Sequence, residues 1–453
     1  MALGAVFGAA TALAISGWLP GSLRAGFQAT PAGAALLWIG LGASAMPAAA
    51  LCALLIARSS PTHPLYVARV GTLWACLEIG WGYGFPGLPW IVLGATAIDS
   101  PFAPLASLLG VHGVSGAAAA VQAWAVQFAT RAPLRAHLGS ALVCGALAAL
   151  LCCAAHSAAP RQVLLEPLHI AAVQPGLPMQ SRLEPDYARA QLDALLIETA
   201  ALIGADLVVW PESAFIASPQ DTRAGARVQR FVDRHEIAIL AGAARVEGTR
   251  ARVSALLFEP GIRARWVYDK RRPLMLAEWV PPGLPAALRR ALGRLVPVRS
   301  VLAGSGESLQ SGRLRGVAVS ICYEAIYQDA ATPDAALIVN LANDGWYDDG
   351  AGARQHLLLA RWRAVEGGRP LLRAAATGIS AFVGPDGSLV SQLAIGARGA
   401  IESRVLLDRL PSTPFTRLGN WPLAGLALLL GALWLGSCRA QVERMISSRR
   451  PRI

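Results

Sequence analysis

Only seven charged side chains occur in the first 160 residues: Arg24, Arg58, Arg69, Glu78, Asp99, Arg131 and Arg135. So long a stretch with so little charge points to lipid rather than water as its solvent. A helix needs roughly 20 apolar residues to cross the ~30 Å hydrocarbon layer. Five stretches meet that need, at about 2–19, 32–57, 66–84, 103–127 and 136–157, and a sixth lies at about 421–437. The third runs into Gly84-Phe85-Pro86-Gly87-Leu88-Pro89-Trp90, which cannot continue as plain helix. A re-entrant or interfacial segment is expected there. The first stretch lacks a basic n-region and more spans follow at once, so a retained span is expected over a cleaved signal peptide.

Charged residues make up 15% of the whole chain, against roughly a quarter in soluble proteins. Disorder, collagen-like repeats and a disulfide scaffold are excluded on the same grounds. The composition divides the chain into an N-terminal transmembrane bundle at 1–160, a globular domain at 161–415, and a last span with a basic tail at 416–453. The net charge is +12, and arginine placement gives it a meaning. The tail carries Arg439, Arg444, Arg449, Arg450 and Arg452, so it is expected on the cytoplasmic side. With the N-terminus inside, Arg58, Arg69, Arg131 and Arg135 also fall inside, the globular domain lies outside, and only Arg24 opposes the rule. The basic excess then reports topology and contact with anionic lipid. No nucleic-acid motif claims it, and no nucleic-acid partner is expected.

In the globular domain, short Val-, Ile- and Ala-rich runs predict strands at 168–174, 206–210, 237–243, 253–258, 265–269, 316–322, 336–341, 371–375 and 379–383. They are mostly apolar throughout, as in sheets buried on both faces. Helical patterns lie at about 185–203, 222–235 and 354–367. The class is α/β.

Three residues stand at strand ends. Glu212 follows Leu207-Val208-Val209-Trp210-Pro211, Lys270 follows Arg265-Trp266-Val267-Tyr268-Asp269, and Cys322 follows Val317-Ala318-Val319-Ser320-Ile321. Of seven cysteines, Cys322 is the only one between 161 and 415, so it has no disulfide partner there. It reads either as a reactive thiol or as a small buried hydrophobe. Lys270 is the single lysine among 40 basic residues. A thiol, a carboxylate and an amine brought together can do acyl chemistry: attack on a carbonyl, removal of the thiol proton, and stabilisation of the oxyanion. Spacing alone leaves open that each is merely a solvated strand end.

The surrounding motifs resemble those of the nitrilase superfamily, and within it the apolipoprotein N-acyltransferases. The matching stretches are Val208-Val209-Trp210-Pro211-Glu212-Ser213-Ala214, Tyr268-Asp269-Lys270-Arg271, Glu278-Trp279-Val280-Pro281, Ile321-Cys322-Tyr323-Glu324, Asn343-Asp344-Gly345-Trp346-Tyr347, Gly368-Arg369-Pro370-Leu371-Leu372-Arg373 and Gly419-Asn420-Trp421-Pro422. The resemblance implies a membrane α-helical bundle carrying a nitrilase-like αββα sandwich. It implies Cys322 as nucleophile, Glu212 as general base and Lys270 as oxyanion stabiliser, with Glu278, Tyr323 and Glu324 as supporting residues. It also implies a ping-pong reaction. An acyl chain leaves a phospholipid donor as a Cys322 thioester, and the N-terminal amine of a lipoprotein, or another amine acceptor, takes it. The site would lie on the outer face of a bacterial inner membrane, with no metal and no cofactor.

The family usually has seven spans before the enzyme domain, against five expected here. Its usual Trp after the Val-Gln-x-x-x-Pro stretch is matched by Leu183, and its Phe-Gly-Glu by Leu276-Ala277-Glu278. The conjugal-transfer protein TraB also resembles this enzyme with a shortened membrane part, and a supporting role in plasmid transfer is the alternative reading. A membrane-tethered amidase or nitrile hydrolase using water is a third, although apolar Pro273-Leu274-Met275-Leu276 beside Lys270 suits a lid that dips into lipid. Glu78 within a span is either functional or a cap for the turn that follows it. His356, in a helical stretch, is expected to pack or hydrogen-bond rather than react.

Overall fold

The computed structural model describes residues 1–26, 28–84, 89–157, 167–178, 181, 184–202, 204–215, 218–219, 222–247, 250–275, 278–280, 285–295, 301–305, 316–330, 335–347, 350–406 and 412–448. Leu183, Leu276, Ala277 and the arginines at 449, 450 and 452 lie outside them, as do the side chains of Arg439 and Arg444.

Six helices precede the sheets: α1 (Ala2–Ile15), α2 (Leu19–Ala25), α3 (Pro31–Ala57), α4 (Tyr66–Tyr83), α5 (Ala106–Ala129) and α6 (Leu134–Ser157). Thr30 starts α3 by accepting a 3.0 Å hydrogen bond from Gly33 N, with Pro31 at the first helical position. By length and apolarity, three described helices can cross a membrane: α3, the stretch 103–129 that contains α5, and α6. A fourth counts if α1 and α2, bent by 48°, form one span. The sequence led us to expect more. α4 falls short because it carries Arg69 and Glu78, both buried against other helices. The late apolar run forms the first part of α12, below.

The elements of the globular part then follow in the order β1 (Leu168–Gln174), α7 (Tyr187–Ala200), β2 (Leu207–Val209), α8 (Arg223–His235), β3 (Ala238–Glu247), β4 (Arg250–Glu259), β5 (Ile262–Asp269), α9 (Ala286–Leu295), β6 (Val317–Ile321), β7 (Leu337–Ala342), α10 (Ala351–Gly367), β8 (Leu371–Ala375), β9 (Ala381–Val383), β10 (Leu389–Gln392) and β11 (Gly399–Val405). The short α11 (Pro414–Leu418) and α12 (Trp421–Ser448) close the chain. One sheet runs β11-β1-β2-β3-β4-β5 and the other β10-β9-β8-β7-β6. The expected strands are present. The sequence reading does not include β10 and β11: their residues are about half polar, with β10 largely exposed and β11 mixed, so they lack the apolar run that marks the inner strands.

Alternation along each inner strand builds the layers. In β1, Ile170 and Ala172 face the second sheet while Ala171 and Val173 pack under α7 and α8 with Leu192, Leu195, Val228 and Val232. In β7, Val339 and Leu341 face the first sheet while Ile338 packs under α10 against Leu357, Ala360 and Ala364. Helix, sheet, sheet, helix is the αββα sandwich.

The inner core does not stop at the sheets. Leu359, Trp362 and Val365 on α10 share one buried cluster with Val92, Ala95, Ile98 and Val111 of the membrane part. α5 breaks at Gly110, which has φ +69°. A Cβ there would meet Gln328 Nε2 at 2.4 Å and the Phe415 ring at 2.5 Å, so only glycine fits both the conformation and the space. The break frees Val111 N, which donates to Glu366 Oε1 on α10 at 2.8 Å. Buried Glu78 resolves as a cap: its Oε1 accepts from Trp74 Nε1 and Leu93 N, each at 2.8 Å, and its Oε2 meets His112 Nδ1 at 3.3 Å. It thereby ties α4 to the irregular chain after it and to α5.

Candidate active site

Glu212 and Lys270 come from strand ends of one sheet, and Cys322 from the other. Glu212 sits in the turn after β2, against Gly242 of β3. A Cβ at Gly242 would lie 2.3 Å from the Glu212 backbone, so the glycine admits this turn to the site. Lys270 ends β5, pinned by its own N–H to Val253 O at 2.8 Å. Cys322 directly follows β6 with φ +52°, a left-handed conformation that costs a non-glycine residue on the order of 1–2 kcal/mol.

Strain of that kind persists only where neighbours over-determine it, and here they do. Glu324 Oε2 accepts from Ile321 N at 2.7 Å and from Tyr268 OH at 2.8 Å, while its Oε1 accepts from Arg271 N at 2.7 Å and Arg272 N at 3.0 Å. One buried carboxylate therefore fastens the cysteine turn to the lysine strand. The Cys322 carbonyl accepts from Asn340 Nδ2 at 3.2 Å and meets His356 Nε2 at 3.1 Å. Behind them, Arg373 Nη2 bonds both oxygens of Asp344, at 2.7 and 2.8 Å, and His356 Nδ1 lies 2.8 Å from Asp344 Oδ1. Against burial, which would raise it, Arg373 and then His356 hold the Asp344 carboxyl down at about 2.

The three expected groups meet. Lys270 Nζ donates to Glu212 Oε1 and to Glu278 Oε1, each at 2.9 Å. The Cys322 thiol is a hydrogen-bonding neighbour of the Glu212 carboxyl, and Asn343 N–H points at its sulfur. Lys270 is 1% exposed and Glu212 and Cys322 are 7% exposed, which removes the reading that they are solvated strand ends. Burial pulls the Lys270 amine down, but the Glu212 and Glu278 charges outweigh it and hold it well above its ordinary value. Burial pushes the Glu212 carboxyl up against the pull of Lys270. Burial and then the Glu212 charge push the Cys322 thiol up. These directions keep the amine an ammonium and the thiol neutral, with the Glu212 carboxyl placed to take the thiol proton when it is ionised. A thiol with a carboxylate in reach can lose its proton as it attacks, and an ammonium fixed beside it can stabilise the oxyanion.

Glu278 holds the ammonium from the other side, and its Oε2 accepts from Leu274 N at 2.6 Å. This ties Leu274 and Glu278 to Lys270. Leu274 packs against the inner core and Met275 is half-buried. Tyr323 is a step removed: its hydroxyl pairs with Tyr327 OH at 2.5 Å. Sequence reasoning assigned no role to Tyr268, Asn340, Asp344 or Arg373, although all but Asn340 lie in motifs that carry the resemblance. His356 matches the hydrogen-bonding role expected of it. Among the described residues, no group of three or more His, Cys, Asp or Glu could hold a metal ion.

The Glu278 charge raises the Glu212 pKa. Proton acceptance needs Glu212 ionised, so activity falls as pH drops through that pKa. Glu278→Gln is therefore expected to shift the acid limb of the rate profile to lower pH while slowing the reaction. An acid limb that moves up, or stays, in single-turnover acylation measured against pH counts against this coupling.

The carbon-nitrogen hydrolase family model matches residues 169–414, and the apolipoprotein N-acyltransferase N-terminal domain matches residues 1–124. The apolipoprotein N-acyltransferase of Pseudomonas aeruginosa (strain LESB58) is 30% identical over 387 residues, 82% of this chain and 74% of that protein. That of Ralstonia nicotianae is 30% identical over 384 residues, 80% of this chain and 70% of that protein. A solved amidase from Nesterenkonia sp. matches with 18% identity and a TM-score of 0.38, covering 56% of this chain and 95% of the amidase.

Proposed function

The chain belongs to the apolipoprotein N-acyltransferase family of carbon-nitrogen hydrolases, and from that premise we propose that it moves an acyl chain from phospholipid through Cys322 to the N-terminal amine of a lipoprotein. The observation that carries the reading is the buried ammonium of Lys270 held at 2.9 Å by both Glu212 and Glu278, with the Cys322 thiol next to Glu212.

The Cys322 sulfur adds to the ester carbonyl of the phospholipid while its proton passes to Glu212, and the oxyanion forms against Lys270. The ester C–O bond breaks, and Glu212 returns the proton to the departing lysophospholipid oxygen. The acceptor amine then adds to the thioester and gives a proton to Glu212. The C–S bond breaks, and the thiolate takes that proton back. The product is an amide and the free thiol. An amine is the stronger nucleophile toward a thioester, and burial of the site limits the approach of water.

The membrane orientation follows from the arginines. The tail faces the cytoplasm and the 161–415 domain lies on the outer face of the inner membrane, where lipoproteins mature. The chain's short membrane part favours one second reading, a TraB-like role in plasmid transfer on an unknown acyl or amide substrate. Complementation of a strain depleted of its own lipoprotein N-acyltransferase separates the two. Restored growth and N-acylated lipoproteins are expected. No rescue, together with lost mating efficiency on deletion, favours the transfer role.

A further inference from the structure

Lys270 is followed by Arg271 and Arg272, and both guanidiniums converge on one oxygen. Asp329 Oδ2 lies 2.5 Å from Arg271 Nη2 and 2.7 Å from Arg272 Nη2, with Arg272 Nε at 3.3 Å. Two positive charges thus share one negative partner. The other nearby carboxylate, Glu324, is turned inward and occupied by three backbone N–H groups and Tyr268 OH. Arg271 Nε is shielded from solvent and has no hydrogen-bond partner among the described residues. Such a buried donor normally has one.

Their place matters as much as their charge. Arg272 lies over the Tyr327 ring at 4.3 Å and the Tyr83 ring at 5.8 Å. Tyr83 is the last residue of α4, and Tyr327 is hydrogen-bonded to Tyr323 beside the nucleophile. The arginines therefore stand where a membrane-part helix meets the cysteine turn, with side chains 37% and 34% exposed. A lipid reaching Cys322 from α4 passes them.

An arginine–aspartate pair at a surface is commonly only a tether. Here the surplus charge is one, an N–H is unfilled, and the forks stand at the entrance from the membrane part. A phosphodiester brings one negative charge and two free oxygens, which guanidinium forks match in plane and charge. We propose that Arg271 and Arg272 receive the phosphodiester of the acyl-donor lipid and so discriminate donors that carry a headgroup phosphate. This rests on the phospholipid-donor reading above.

The test uses the full-length protein in detergent micelles. Acylation is followed with a palmitoyl phosphatidylglycerol donor and with p-nitrophenyl palmitate, which has no phosphate. Losing charge-assisted hydrogen bonds of this kind is expected to raise the lipid KM about tenfold or more in the Arg271→Gln/Arg272→Gln variant. The lipid-to-ester ratio of kcat/KM falls by the same factor, and Arg271→Lys/Arg272→Lys recovers part of it. Equal loss on both donors would assign the pair to holding Lys270 in place, and an unchanged ratio would leave it without a role; either overturns the proposal. Inorganic phosphate that competes with the lipid but not with the ester supports it, whereas inhibition of both alike points to a free-phosphate site and overturns it. A wild type that is acylated by the ester but never by the lipid overturns the donor reading itself, which sets that failure apart from the others.

Discussion

Cys322→Ala is expected to abolish the covalent acyl-protein and to lower turnover by at least about 10⁴-fold, the scale seen when a nucleophile is removed from a triad. The measurement is a hydroxylamine-labile band after incubation with a labelled phospholipid. Cys322 is the only cysteine of the 161–415 domain, so no neighbouring thiol there can substitute. The alanine retains a backbone N–H and carbonyl, so the anchors to Asn340 and His356 remain available. Loss of label with normal folding then reports chemistry and not collapse. A labelled band of undiminished intensity would move the nucleophile elsewhere.

Lys270→Arg is expected to cost about 10²–10³-fold in acylation rate, the range for removing one oxyanion donor, although charge is conserved. The ammonium is 1% exposed and sits 2.9 Å from two carboxylates. A guanidinium is planar, larger, and directs five N–H groups along fixed lines. It pairs with Glu212 and Glu278 only by displacing one of them or the thiol. Overpacking a filled site also costs stability, typically about 1–3 kcal/mol, so thermal denaturation is measured alongside. A variant that folds and turns over within a few fold of the parent would remove the oxyanion role.

The catalytic residues were legible because chemistry marks them in one dimension. Glu212 and Cys322 each follow a short apolar run of the kind that forms a strand buried on both faces, and Lys270 follows a half-polar strand. Lys270 stands out further, as the one lysine in a chain that otherwise uses arginine. Their support was not legible. Glu324 ties four donors from three segments, and that role exists only once two sheets are stacked. Arg373 and Asp344 form a buried pair 29 residues apart in sequence, where neither period nor spacing joins them. β10 and β11 escaped because half-polar edge strands lack an apolar signature. Nor does an apolar run announce that α5 breaks at Gly110 to hand Val111 N to Glu366.

That handover makes the bilayer and the enzyme parts of a single object. A hinge or a flexible tether would let the catalytic half float at variable height above the lipid. Here α10 is at once a layer of the sandwich and the seat of a broken membrane helix, and Trp362 donates to Ala95 O across the junction at 3.2 Å. The thiol is thereby held at a set elevation, like a tool fixed to its bench. How far an acyl ester must climb out of the leaflet is then decided by the architecture, before any substrate arrives.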